Sequence, residues 1–434
     1  MPQTLLGNLE TLPECLTIET KQDQPVRLSI ITQFHPPDYA ATGQLIAELA
    51  NQLGNFGMEV HVFTGQPGYV FEKMTAPKRE TLEQVFIRRS RTSRIWPHRI
   101  RGRALNGVFF CLRALLHLLR RRNRQDILLI TTEPPYLPIL GYLAYLLFGI
   151  PYVCLLYDLY PDVAVQLKVV PATHWIVRLW TWLNCQVWKQ AQSIIVLSST
   201  MKERVAKKCP EVQDKIQVIH SWADPQRIQP LNKDKNWFAH QYNLTDKFTV
   251  LYSGNMGRCH DMDTIMIAVE ELKNDPIQFV FIGHGAKRQA CIERAERFKL
   301  KNCLFLPYQD KSVLPYSLTA CDLSLVSIDK GIEGLVAPSK LYGILAAGRP
   351  VAAICEPHSY LRDLLREANC GKTFNNGDGK SLAHYIRHLA ENSQVAENLG
   401  KSGRNYLTSN FTPDRIAIQY LEVLKKANLN QKYY

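Results

Sequence analysis

The sequence holds eleven cysteines but no Cys-x-x-Cys pair and no cysteine–histidine spacing of a zinc site. That excludes a zinc module and makes the cysteines reduced, mostly buried thiols of a cytosolic protein, with no structural metal expected. No apolar run reaches the roughly 20 residues that span a bilayer; the longest, Leu137 to Ile150, reads as a buried helix. A Gly-x-Gly-x-x-Gly fingerprint is missing, which disfavours a nicotinamide or flavin enzyme. Helix-turn-helix, zinc-finger and RNP-type signatures are missing too, so no nucleic-acid partner is expected. Residues 1–24 have neither a basic start nor an apolar centre and read as a loose tail, not a secretion signal.

The formal charge of +13 is unevenly spread over the 434 residues. Residues 88–124 carry Arg88, Arg89, Arg91, Arg94, Arg99, Arg101, Arg103, Arg113, Arg120, Arg121, Arg122 and Arg124, and no acidic residue at all. Such a segment attracts anions. Within it, Ala104 to Leu119 has the period of a helix with a wide apolar surface flanked by arginine, and His174 to Lys189 carries Trp175, Trp180, Trp182 and Trp188. An anionic membrane surface is the favoured partner of these segments. Two helices packing on a sheet and exposing an arginine-rich face would give the same pattern.

At this length the chain is expected to form two domains. Short apolar strands alternate with helical periods twice over, the pattern of doubly wound α/β domains. Strands are expected at 26–32, 59–64, 84–88, 127–131, 152–156, 193–197 and 216–219 in a domain spanning 25–225, and at 248–252, 279–282, 303–306, 323–328 and 351–354 in a domain spanning 248–411. The polar stretch 226–247 reads as a linker, and 412–434 as a helix and tail that cross back to the first domain.

The loops after these strands have anion-binding chemistry. The run Gly331-Ile332-Glu333-Gly334 leads through Pro338-Ser339-Lys340 into a short apolar helix that stops at Gly348-Arg349-Pro350. Pro338 and Ser339 suit a helix start whose free N–H groups, with Lys340, can hold a diphosphate. Ser253-Gly254-Asn255-Met256-Gly257-Arg258 pairs close backbone approach with a neutralising cation, and Gly283-His284-Gly285 repeats the layout. A tight strand-to-helix turn explains the latter equally well. Gly43 permits a sugar or phosphate to approach the first turn of the first domain.

Five ordered blocks carry a resemblance: Phe34-His35-Pro36-Pro37 with Gly43, Asp158-Leu159-Tyr160-Pro161-Asp162, Ile195-Val196-Leu197-Ser198 before Met201, Tyr252 to Gly257, and Pro338-Ser339-Lys340 through Pro350-Val351. From about Val26 to Leu424 the chain resembles family 4 (group 1) glycosyltransferases of GT-B architecture, especially the branch of colanic-acid and other exopolysaccharide synthesis. The resemblance implies two Rossmann-like domains facing a cleft, and transfer of a sugar from a nucleoside-diphosphate-sugar donor on the second domain to a saccharide acceptor on the first, with retention of anomeric configuration. Residues implied or suited to hold the donor are Gly43, Gly254, Asn255, Gly257, Arg258, Gly283, Tyr308, Pro338, Ser339 and Lys340, with Tyr308 placed to stack on the base. Asp158 or Glu333 would steady the reacting sugar; Asp158 capping the following turn is an equal alternative. No cofactor and no metal is expected. The basic, tryptophan-rich first half suits a polyprenyl-linked acceptor and a peripheral place on the cytoplasmic face of a membrane. Gly343 stands where many members carry a ribose-binding glutamate, which keeps open a second reading: a protein of this fold without turnover, serving as a membrane-bound assembly partner.

Overall fold

The structure, a computed structural model, describes residues 25–38, 40–67, 75–91 and 100–429. The expected tail of residues 1–24, Arg94, Arg99 and the side chains of Arg101 and Arg103 lie outside the described residues, as does the end of the chain beyond 429.

The first sheet contains β1 (Arg27–Ile31), β2 (Glu59–Thr64), β3 (Arg79–Leu82), β4 (Val85–Arg89), β5 (Ile127–Thr131), β6 (Tyr152–Leu156), β7 (Ser193–Val196) and β8 (Ile216–Val218). Their order is β3-β4-β2-β1-β5-β6-β7-β8, parallel except for the edge strand β3. Every residue of β5, β6 and β7 is buried, which is why these segments read as unbroken apolar runs: helices cover both faces of the sheet. The helices are α1 (Ala41–Asn55), α2 (Ile100–Leu119), α3 (Pro138–Phe148), α4 (Asp162–Gln166), α5 (Trp175–Gln190) and α6 (Ser199–Lys208).

The second sheet contains β9 (Phe248–Ser253), β10 (Ile277–Ile282), β11 (Cys303–Leu306), β12 (Leu323–Ser327), β13 (Val351–Ile354) and β14 (Gly371–Phe374), all parallel in the order β11-β10-β9-β12-β13-β14. Its helices are α7 (Trp237–Gln241), α8 (Met262–Glu271), α9 (Arg288–Arg297), α10 (Leu314–Thr319), α11 (Lys340–Ala346), α12 (Tyr360–Glu367), α13 (Gly379–Glu391) and α14 (Ser393–Asn410). The last helix, α15 (Pro413–Leu429), packs on α1 and on β5 and β6, so the chain returns to the first domain as expected.

Three details differ from the sequence reading. The linker is shorter than 226–247, because α7 belongs to the second domain: the fully buried Asn236 caps it and donates to Tyr316 and Thr319, while Lys233 pairs with Asp322 at 2.7 Å. Strands β3 and β14 are additional; β3 is an exposed edge with no apolar alternation to betray it. The helix within Leu137 to Ile150 is only partly buried, since Leu146 and Leu147 are 58% and 60% exposed.

Candidate functional site

In parallel sheets, ligands gather at loops that follow the strands, and here the two sets of loops face one another. After β9 and β10 the chain makes two interlocked turns. Gly254 N donates to Ile282 O at 2.8 Å, Met256 N to His284 O at 2.7 Å, and Lys287 N to Met256 O at 2.9 Å. Gly283 has φ +132°, and a Cβ there would stand 2.1 Å from Gly254 O. Only glycine lets the two backbones cross.

Lys340, at the start of α11, reaches under this crossing. Its Nζ lies 3.6 Å from the centroid of the Tyr252 ring and within about van der Waals reach of Gly254, where an added Cβ would be 3.5 Å away. The ammonium is buried and has no hydrogen-bond partner among the described residues. Burial pulls its pKa down to about 7. Next to it, His260 Nδ1 donates to Ser327 O at 2.8 Å, and burial first, then Lys340, pushes the imidazole down to about 3. Lys287 Nζ donates to His260 O at 2.7 Å and pairs with Asp329 at 2.6 Å. Arg258 and Asn255 are exposed at the same loop. Tyr308, after β11, lies against the Gly283 turn with its ring 5.3 Å from that of His284. Gly254, Asn255, Gly257, Arg258, Gly283, Tyr308, Pro338, Ser339 and Lys340 are therefore carried on the four loops that follow β9, β10, β11 and β12 at one sheet edge. Ser339 is the N-cap of α11, where the sequence places the helix start, and makes no side-chain cap bond.

Gly43 is placed differently. Its Cβ position is already filled by backbone of Phe34 and His35, 2.9–3.0 Å away, so this glycine seats α1 on its own loop rather than leaving room for a ligand.

On the first domain, Asp158 follows β6. Its backbone bridges to Val336 of the second domain, and Leu159 N donates to Leu335 O at 2.9 Å. Pro161 is the N-cap of α4 and makes no side-chain cap bond. Burial raises the Asp158 carboxyl to about 6. Glu133, which sequence reasoning missed, follows β5 and accepts from Thr42 Oγ1 at 2.5 Å. Burial, and then the neighbouring Asp158 and Asp38, raise it to about 8. A carboxylate directly after a buried strand and before Pro134-Pro135 was the signal available for it.

Glu333 corrects an expectation. It is fully buried: Oε1 accepts from Thr200 Oγ1 at 2.8 Å, Oε2 has no hydrogen-bond partner among the described residues, and Arg204 Nε donates to its carbonyl at 3.1 Å. Thr200 and Arg204 belong to α6 of the first domain, so Glu333 fastens the domains to each other instead of lining open space. Gly343 faces Leu318 and Ile228, an apolar setting. Asp261 and Asp263 have the spacing of a metal-binding pair, yet Asp261 caps α8 through Thr264 and Asp263 is 83% exposed. Between the domains a recess of about 430 Å³ is lined by Gln166 and Lys168 on one side and Arg258, Asp329, Gly331 and Glu356 on the other.

Residues 42–227 match the family model described as Glycosyltransferase Family 4, and residues 234–406 the model described as Glycosyl transferases group 1. The chain is 26% identical over 324 residues to a probable glycosyltransferase, WbjE, of Pseudomonas aeruginosa, covering 73% of this chain and 78% of that one. It is 28% identical over 174 residues, 40% of this chain and 42% of the other, to the putative colanic acid biosynthesis glycosyl transferase WcaI of Escherichia coli K12. The solved structure of Anabaena Alr3699/HepE in complex with UDP and glucose superposes with a TM-score of 0.69 at 15% identity, over 92% of this chain and 99% of that one. At that identity the likeness speaks for the fold alone. Two family models that divide the chain as its two domains do, and a fold shared along nearly its whole length, give one conclusion: the chain belongs to the family 4 (group 1) glycosyltransferases and has their GT-B architecture.

Proposed function

We propose that the protein moves a sugar from a nucleoside diphosphate to a saccharide acceptor, with retention at the anomeric carbon and without a metal or other cofactor, in the synthesis of an exopolysaccharide of the colanic-acid kind. The observation that carries this reading is Lys340: a buried ammonium with no hydrogen-bond partner among the described residues, under a glycine crossing, at the edge where such sheets bind ligands. A diphosphate supplies the missing charge. Breaking the sugar–phosphate bond leaves negative charge on that group and positive charge on the sugar. A cation already fixed in place stabilises the leaving group without reorganising. Lys340 does this from below and Arg258 from the solvent side, with N–H groups around Ser339 facing the same loop. Tyr308 stacks on the base. Asp158, raised toward neutrality at the domain junction, sits on the acceptor side and steadies the sugar; Glu333 acts by holding the domains closed over it, excluding water.

Because HepE was solved with UDP and glucose, a UDP-sugar is the first donor to offer. Among the described residues no helix is long and apolar enough to cross a membrane. The exposed arginines Arg120, Arg121 and Arg122 beside exposed Leu116 and Leu119 of α2 support a peripheral place on the cytoplasmic membrane face, where a polyprenyl-linked acceptor is presented. The test is incubation with UDP-, GDP- and ADP-sugars and a polyprenyl-diphosphate saccharide, with the product's anomeric configuration read by proton NMR. Retention is expected. An inverted product, or donor loss only when a divalent cation is added, would overturn the mechanism; no transfer from any donor would favour the assembly-partner reading.

A further inference from the structure

The loop that carries Tyr308 is tied to the first domain. Lys311, three residues further on, donates from Nζ to Glu48 Oε1 at 3.0 Å. Glu48 stands on α1, 263 residues away in the chain, so this ion pair joins the two domains. The same carboxylate takes two more groups from the segment that crosses between them: Trp222 Nε1 donates to Oε2 at 3.2 Å, and Arg227 Nη1 stands 3.9 Å from Oε1. Arg227 closes the ring, because its Nη2 donates to Lys311 O at 3.1 Å.

The local sequence explains why these groups converge. Helix α1 buries Ile46, Leu49, Ala50 and Leu53, and the helical period leaves Glu48 half-buried on the flank of that apolar stripe. On the crossing segment, Asp224 Oδ1 accepts from the backbone N–H groups of Gln226 at 2.8 Å and Arg227 at 3.3 Å, a side-chain turn that folds Arg227 back toward Glu48. Trp222 is buried, so its N–H needs an acceptor, and Glu48 supplies one. An isolated surface ion pair contributes little, whereas a network of several charges is the case in which such pairs count. Here both oxygens of one carboxylate are engaged, by donors from the crossing segment and from the second domain.

Two junctions between the domains therefore flank the donor loops. Thr200 and Glu333 meet in the loop whose Val336 bridges to Asp158, and Glu48 and Lys311 meet in the loop of Tyr308. We infer that Glu48 is a positioning residue of the donor site: through Lys311 it fixes the Tyr308 loop, so that the first domain completes the base subsite without touching the nucleotide. This rests on the donor reading above and adds a residue to it.

Calorimetric titration of the full chain separates this role from a general structural one. The probes are UDP, GDP and ADP, which carry a base, and inorganic pyrophosphate, which offers the diphosphate alone. Glu48→Gln keeps an oxygen for Trp222 Nε1 and removes the charge that holds Lys311; Lys311→Met removes the other half of the pair. Each should weaken the nucleotide that wild type binds by about three- to fivefold, the size of a partly exposed ion pair, and leave pyrophosphate binding as it is in wild type. The double variant should bind no more weakly than either single one, since both changes act through one contact. Unchanged nucleotide affinity in the two single variants would overturn the inference. Losses that multiply in the double variant, or a pyrophosphate affinity that falls in step with the nucleotide's, would overturn it too, because the domains would then have loosened as a whole. If wild type binds no nucleotide, the donor reading itself fails and the inference with it.

Discussion

Thr200 and Glu333 meet across the two domains: the threonine hydroxyl donates to Glu333 Oε1 at 2.8 Å, with both residues buried. Since Glu333 Oε2 already lacks a partner, this bond is the carboxylate's remaining side-chain anchor among the described residues. Thr200→Val removes it and leaves a desolvated carboxylate, a penalty of about 1–3 kcal/mol that falls on the closed arrangement. Small-angle scattering should show a larger radius of gyration for Thr200→Val than for wild type, and Thr200→Ser should restore it. An unchanged radius would mean that the bond does not hold the domains.

The carboxyls of Glu133 and Asp158 make stability depend on pH. Both folded pKa values are raised, to about 8 and about 6, from ordinary values of 4.5 and 3.8. The folded state therefore binds more protons than the unfolded one between these limits, and stability falls as pH rises from about 4 to about 8. Glu133→Gln should flatten most of that fall and raise the melting temperature at pH 8 by about 2–4 °C per kcal/mol recovered. Thermal unfolding of both proteins at pH 5, 6, 7 and 8 checks this; parallel curves would contradict it.

Lys340 works with the opposite sign. Its folded pKa is near 7 against 10.5 for the free side chain, so the unfolded state binds the extra proton between pH 7 and 10.5. Without ligand, this residue's contribution makes the protein more stable as pH rises across that window. Lys340→Met should stabilise the ligand-free protein at pH 7 by about 1–3 kcal/mol, because a buried group without a partner disappears. Chemical denaturation at pH 7 and pH 10 should show a gain at pH 7 that shrinks by pH 10.

Gly283→Ala tests the crossing of the two loops. A Cβ 2.1 Å from Gly254 O at φ +132° forces the turns apart, with strain of about 1–3 kcal/mol. Nucleotide affinity should fall more than tenfold, while circular dichroism stays that of the wild type. Wild-type affinity would place the nucleotide elsewhere.

The strands were largely readable because buried parallel strands are continuous apolar runs: β5, β6 and β13 have the bounds that their sequences suggest. The edge strand β3 has no apolar face to read, and α7 was hidden in a polar stretch because Asn236 secures it by side-chain hydrogen bonds. The loops holding Gly254, Gly283 and Lys340 were legible from glycine and charge. Their joint arrangement was not, because the stacking of Lys340 on Tyr252 links residues far apart in sequence. The same reason hid Glu133, whose partner Thr42 is 91 residues away, and disguised Glu333, whose loop chemistry suggested a ligand and whose partner lies on the other domain.

The central claim is that Lys340 awaits the diphosphate of the donor, and direct titration tests it. Purified protein would be titrated calorimetrically with UDP, GDP and ADP, and Lys340→Ala with whichever nucleotide binds. Saturable binding of one nucleotide, weakened at least tenfold in Lys340→Ala, is the predicted result. Equal affinity in both proteins would contradict the assignment of the site, and no binding of any nucleotide would contradict the donor reading itself.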